Sequence, residues 1–229
     1  MNLKCLFFIA ISLTKIVPIV AELSPLREYE KLWEYKTRDK KDQDTFAGWW
    51  GNEGATSRVL ARLCIIHKDY KSILDVGCGF CTDFDALKRN MPEIEYKAID
   101  ISSTFITKAL ERGICAEVAR VQQMPYPDSS IEIVYARHLL EHFDSYEQAI
   151  QEMVRVASEE VLIVFFIAPD QNGHDKPGMI NVGGYATYQN KYSRPKMESF
   201  LKSLPKVKSF SWQEVKNTNE CILHIIVAQ

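Results

Sequence analysis

The residues best equipped for chemistry crowd into ILDVGCGFCTD, Ile73 to Asp83: carboxylates at Asp75 and Asp83, glycines at Gly77 and Gly79, thiols at Cys78 and Cys81. Ile73, Leu74 and Val76 read as a short buried strand, and DFDALKRN as the helix that follows. Gly77 and Gly79 remove the Cβ atoms that would keep a ligand off the intervening turn. Strand, glycine turn and helix in that order form a nucleotide-type cofactor site at the carboxyl end of a parallel strand. Asp83 and Asp85 load the helix start with negative charge, where a pyrophosphate wants an amino terminus that is positive and unoccupied. Thr82 also stands in place of the third glycine of G-x-G-x-x-G. The turn suits a cationic ligand.

A second strand, YKAIDIS, ends in Asp100, 21 residues after Gly79. An acidic residue about 20 residues beyond the glycine turn can accept hydrogen bonds from both hydroxyls of a ribose. MPYPDSSIEIVYARHLLEHF, Met124 to Phe143, follows. Together these motifs resemble the class I S-adenosylmethionine-dependent methyltransferases, and more closely the subgroup with ubiquinone-biosynthesis and other small-molecule enzymes. That subgroup reads L-P-F-P-D-x-S-F-D-x-V, then a short strand and Leu-Glu-His. The resemblance covers roughly residues 72–169, a little under half of the chain.

It implies an α/β fold, a doubly wound and mostly parallel seven-stranded sheet with an antiparallel C-terminal strand, and S-adenosyl-L-methionine as cofactor. By the same resemblance Asp75, Gly77, Cys78 and Gly79 hold the amino-acid end of the cofactor, Asp100 and Ile101 the ribose, and Val121 and Gln122 the adenine. Ala136 and Arg137 end the fourth strand beside the reacting centre. The implied reaction moves a methyl group from the sulfonium to an O, N or C nucleophile of a small-molecule acceptor. It is an in-line displacement, so alignment and desolvation carry most of the catalysis. A general base is needed only for a hydroxyl or protonated amine, and His138 and His142 are the candidates. No metal is required.

The chain departs from the family pattern in places. Cys81 stands where a third glycine is frequent, and Glu132 and Ile131 replace an Asp and an aromatic. Arg120 replaces the Asp that contacts the adenine amine, which makes a non-catalytic cofactor-binding protein of the same fold one alternative. Another starts from Cys78-Gly-Phe-Cys81, a C-x-x-C at a helix amino terminus that suits a thiol–disulfide oxidoreductase. His138-Leu-Leu-Glu-His142 also fits the H-x-x-E-H of inverted zinc peptidases, but these residues straddle a strand end and a helix start where zinc needs one long helix.

The 229 residues, 46% hydrophobic, are enough for one sizeable core, and a net charge of −2 gives no sign of a nucleic-acid partner. MNLK followed by the apolar CLFFIAISLT, with Ala21 as a small cleavage residue, reads as a signal peptide or hydrophobic anchor over residues 1–23, and so as membrane association or export, with a cytoplasmic location as the alternative. Residues 24–229 then form the methyltransferase domain: a cap over 24–70, the cofactor core over 71–169, and a substrate loop with a helix and two strands over 170–229. Cys64, Cys115 and Cys221 sit in apolar segments and read as buried small hydrophobes.

Around the motifs the pattern alternates. A helix SRVLARLCIIH precedes strands at 72–76 and 96–101, with helices at 83–90 and 103–112. Strands at 115–119 and 131–136, a helix at 145–157 and a strand at 161–167 follow. Continuous apolar strands separated by helices predict a parallel sheet covered on both faces. DQNGHDKPGMINVGGYATYQ reads as a long aperiodic loop, with Tyr185, Tyr188 and Tyr192 in or beside it as candidate pocket residues. Trp33, Trp49 and Trp50 are candidates to cover the cofactor.

Overall fold

The computed structural model describes residues 31–33, 37, 41, 44, 51–182 and 185–228. The expected signal or anchor over residues 1–23, and Trp49 and Trp50, lie outside these. Seven strands form the main sheet. In chain order they are β1 (Ser72–Val76), β2 (Glu95–Asp100), β3 (Cys115–Val118), β4 (Ile131–Arg137), β5 (Ala157–Phe165), β8 (Val207–Glu214) and β9 (Cys221–Val227), with spatial order β3-β2-β1-β4-β5-β9-β8. The pairs β1–β2, β1–β4, β2–β3 and β4–β5 are parallel, and β9 runs antiparallel to both β5 and β8. The strand order reverses direction at β1, which opens a crevice beyond the carboxyl ends of β1 and β4.

Alternation along the buried strands sends side chains to two cores. Leu74, Val76, Val134, Ala136, Val161 and Ile163 meet α4 (Glu147–Val156) and α5 (Arg194–Ser203) on one face. Ile73, Ala98, Ile133, Leu162 and Val164 meet α1 (Thr56–Ile66), α2 (Phe84–Asn90) and α3 (Ser103–Glu111) on the other. Helix α1 buries Ser57, Arg58, Ala61 and Ile65, a stripe at helical spacing. Ser102 caps α3 by accepting from Phe105 N at 3.4 Å, and its hydroxyl also meets that of Thr37 at 2.6 Å, tying the amino-terminal part of the chain to the core.

Two expectations need correcting. Strand β5 starts at Ala157, not 161: Ala157 already has extended angles (φ −67°, ψ 139°), so α4 hands over to the strand with no loop between. It stops at Phe165 because the next two backbone N–H groups, Phe166 and Ile167, turn to the Glu141 carboxyl. Residues 170–189 are not an aperiodic loop. They contain a separate antiparallel hairpin, β6 (Met179–Val182) and β7 (Tyr185–Tyr188), whose strands flank Gly183-Gly184 in sequence. Two short runs separated by Gly-Gly are a hairpin signal. Among the described residues no helix is long and apolar enough to cross a membrane.

Candidate active site

The main cleft opens at the carboxyl ends of β1, β2 and β4, with about 1060 Å³ of empty space including its mouth. Asp75, Gly77, Cys78, Gly79, Asp100, Ile101, Val121, Gln122 and Arg137 all line it. Ala136 does not: its side chain is on the opposite face of β4, in the core with Val134, while Tyr135 and Arg137 face the cleft. The pleat decides this, since neighbours on a strand point to opposite faces.

Backbone conformation accounts for the glycines. Gly77 has φ +66°, and a Cβ there would lie 2.7 Å from Leu139 Cδ1. Gly79 has φ +51° and nothing within 4 Å of its Cβ direction, so this side of the turn is open. Cys81 adopts φ +49°, a conformation that favours the glycine frequent in the family. Asp100 fastens the turn: Oδ2 accepts from Gly79 N at 2.9 Å and Oδ1 from Ser102 N at 2.9 Å. Carboxylate oxygens have further lone pairs, so hydroxyl donors can still be accepted.

Asp75 and Asp83 converge here, in different surroundings. Asp75 is buried beneath the turn, accepts from the Tyr96 hydroxyl, and has its pKa pushed up to about 7 by burial and by nearby Asp83. Asp83 is not free to load the helix start: it pairs with Arg58 at 2.5 Å and Arg62 at 3.7 Å, and accepts from Tyr135 Oη at 3.3 Å. Asp85 points away, to Arg112 at 3.0 Å.

The thiols do not favour dithiol redox chemistry. Cys78 and Cys81 are buried and not bonded to each other, and a hydrogen bond to Cys81, burial and the flanking carboxylates drive the Cys78 thiol well above its ordinary value. A reactive thiol of such a pair needs the opposite shift.

At the far wall stand two imidazoles. His138 takes φ +55° at the end of β4, with Nε2 2.7 Å from Glu220 Oε1. Burial lowers its pKa despite that carboxylate. His142 lies in the 3-10 turn Leu140–His142, its Nδ1 3.0 Å from the Tyr188 carbonyl. Burial lowers its pKa to about 4, so the ring is neutral. A carbonyl can only accept; Nδ1 therefore carries the proton and Nε2 the lone pair. Trp33 meets His142 edge-on at 4.9 Å, and Phe166 lies 5.3 Å from His138 and 5.4 Å from His142.

The tyrosines divide. Tyr192 Oη shares its one proton between the carbonyls of Leu140 (2.7 Å) and Phe143 (2.9 Å), which is a bracing role, and Tyr188 contributes its carbonyl to His142. The residues missed from sequence are Arg58, Tyr96 and Glu220. Only their contacts with Asp83, Asp75 and His138 mark them, and no local spacing carries that signal.

Strand order, glycine turn and strand-end carboxylates together give the chain the fold of the class I S-adenosylmethionine-dependent methyltransferases. Residues 74–165 match the methyltransferase domain family. Ajmaline N-methyltransferase of Rauvolfia serpentina is 33% identical over 106 residues, covering 42% of this chain and 36% of that enzyme. Malonyl-[acyl-carrier protein] O-methyltransferase of Halorhodospira halophila is 25% identical over 129 residues, covering 53% and 43%. The chain thus spans about a third to a half of the length of these relatives. Among solved structures, phosphoethanolamine N-methyltransferase 2 of Haemonchus contortus with S-adenosyl-L-methionine superposes with a TM-score of 0.65 at 11% identity, over 89% of this chain and 61% of that one. The 1,6-didemethyltoxoflavin-N1-methyltransferase of Burkholderia thailandensis gives 0.61 at 11% identity, over 91% and 93%. These two likenesses speak to the fold.

Proposed function

We propose that the chain is an S-adenosylmethionine-dependent methyltransferase acting on a small molecule through an O–H or N–H nucleophile. The observation that carries this is the pairing of Asp75 and Asp100 at the ends of adjacent strands around an open glycine turn. The fit is physical: a sulfonium and an ammonium suit a cleft with two carboxylates, and the open side of Gly79 leaves room against the backbone. When bound, the cofactor supplies a methyl group already activated by positive charge.

The chain's residues do the rest. Asp75 would hold the ammonium and Asp100 the ribose hydroxyls, while Val121 and Gln122 would border the adenine. Gln122 is itself braced, its carbonyl accepting from Gln148 Nε2 at 3.2 Å. His138 and His142 each keep a nitrogen that can accept a proton or hydrogen bond, and Trp33 and Phe166 supply flat apolar surface beside them. That wall suits an acceptor with a planar body and a neutral donor group. The apolar run after Met1 supports reading residues 1–23 as a signal or anchor, which cell fractionation with intact-mass measurement tests.

Calorimetry with S-adenosylmethionine and S-adenosylhomocysteine is the direct test of the central reading. Micromolar binding is expected, weakened by on the order of tenfold to a hundredfold in Asp100→Ala, since a carboxylate–hydroxyl contact is worth ~1.5–3 kcal/mol. Part of that loss comes from releasing Gly79 N, so Asp100→Asn serves as the milder comparison. No binding at millimolar cofactor would overturn the proposal.

A further inference from the structure

Arg137 ends β4 and turns its side chain into the cleft, where only 11% of it stays exposed. A guanidinium brings N–H donors and no acceptor. Among the described residues none of these donors makes a hydrogen bond. Nε is buried without a partner, and Glu220 stands off, its Oε1 3.6 Å from Nη2. That oxygen already lies 2.7 Å from His138 Nε2. Asp83, which also lines the cleft, is taken by Arg58 at 2.5 Å and Arg62 at 3.7 Å. Burial and the charge of Arg58 lower the Arg137 pKa in spite of Glu220 and Asp83, so the protein offsets its charge only in part. The group is still a cation at neutral pH. A buried cation without hydrogen bonds costs stability until an anion meets it.

We propose that Arg137 binds a carboxylate of the acceptor, which makes the methyl acceptor a small organic acid with a flat body. This rests on reading the cleft as a methyltransferase site. Paired N–H groups of a guanidinium match the two oxygens of a carboxylate, so the contact fixes direction as well as charge. A carboxylate can reach the cleft from two sources, the acceptor and the amino-acid end of the cofactor. Position favours the acceptor. Arg137 and His138 meet around the same Glu220 oxygen, and His138 packs against Phe166 at 5.3 Å in the wall assigned to the acceptor. A carboxylate held on Arg137 lays the flat body along that wall and leaves its O–H or N–H beside the imidazoles. The anchor orients the nucleophile without itself reacting.

Planar probes in pairs, each an acid and its amide, test this: benzoate and benzamide, cinnamate and cinnamamide, salicylate and salicylamide. Each is titrated by calorimetry into the full-length protein, both ligand-free and saturated with S-adenosylhomocysteine. At least one acid is expected to bind about tenfold tighter than its amide, the difference that a charge-assisted contact makes. Arg137→Gln should abolish that preference and Arg137→Lys keep only part of it, with S-adenosylhomocysteine affinity within about threefold of wild type and no fall in melting temperature. A wild-type protein that prefers no acid over its amide overturns the proposal without recourse to a variant. So does a preference that survives in Arg137→Gln. A loss of about tenfold in S-adenosylhomocysteine affinity in that variant, with the acids unaffected, gives the guanidinium to the cofactor and also overturns it. Failure of the wild type to bind S-adenosylhomocysteine counts against the cofactor reading alone, because the ligand-free titrations still decide on Arg137.

Discussion

Asp75 carries the chemistry most sensitive to conditions. It has Asp83 and Asp100 as carboxylate neighbours, and Arg58 offsets only part of their charge. With a pKa near 7 it is half protonated at neutral pH. A cationic ligand favours the ionised form, so binding below that pKa must first expel a proton. Affinity for S-adenosylhomocysteine, which keeps the ammonium, is therefore expected to rise about tenfold per pH unit from 5.5 towards 7 and then level off. Asp75→Asn should bind more weakly at pH 8 and show no such slope. Calorimetric titrations across pH 5.5–8.5 decide it: a flat wild-type profile would place the amino end of the ligand away from Asp75.

Among the elements, the segment between β4 and α4 depends on Glu141. Its Oε1 accepts from Phe166 N at 2.6 Å and Ile167 N at 3.2 Å, its own carbonyl accepts from Asn190 N at 2.9 Å, and Asn190 Nδ2 donates to the Phe143 carbonyl at 2.7 Å. The 3-10 turn that presents His142 is thereby clamped from β5 on one side and from the chain after β7 on the other. Burial pushes the Glu141 pKa up to about 8 in spite of the backbone donors, so at neutral pH the group is mostly protonated. The sign follows: a carboxyl whose pKa is higher folded than unfolded stabilises the fold fully at low pH, and that contribution is lost as pH rises through about 8. Glu141→Gln cannot ionise, so its melting temperature should fall less than that of the wild type between pH 6 and 9. Parallel melting curves would contradict this. Little of the clamp was legible in the sequence. Leu-Glu-His marks the segment, but Asn190 and Tyr192 lie about 50 positions downstream, and nothing local links them to it. The glycine turn could be read because its requirement is local: Gly77 and Gly79 answer to their own φ angles. Arg58 and Glu220 escaped because only tertiary packing sets them beside Asp83 and His138.

For the whole molecule, the question is where the folded body begins. Among the described residues both core clusters start at or after Ala61, and sheet and helices from α1 onward complete them. Three of the earlier described residues reach the body. Leu32 is buried, Trp33 reaches His142 in the cleft, and Thr37 bonds to Ser102 at the cap of α3. These contacts bear on the cleft more than on the core, which separates two effects. A chain starting at Ser24 keeps all three and should melt within about 4 °C of full length, the shift that ~1 kcal/mol produces in a domain of this size. A chain starting at Gly51 loses them, so its cleft stands open beside His142 and the cap of α3 lacks the Thr37 hydroxyl. It should still fold, with a lower melting temperature and clearly weaker cofactor binding. Thermal melts and calorimetry on the three chains are the check. A Ser24 chain that fails to fold would show that residues 1–23 belong to the core, and a Gly51 chain that binds as well as full length would remove Trp33 from the site.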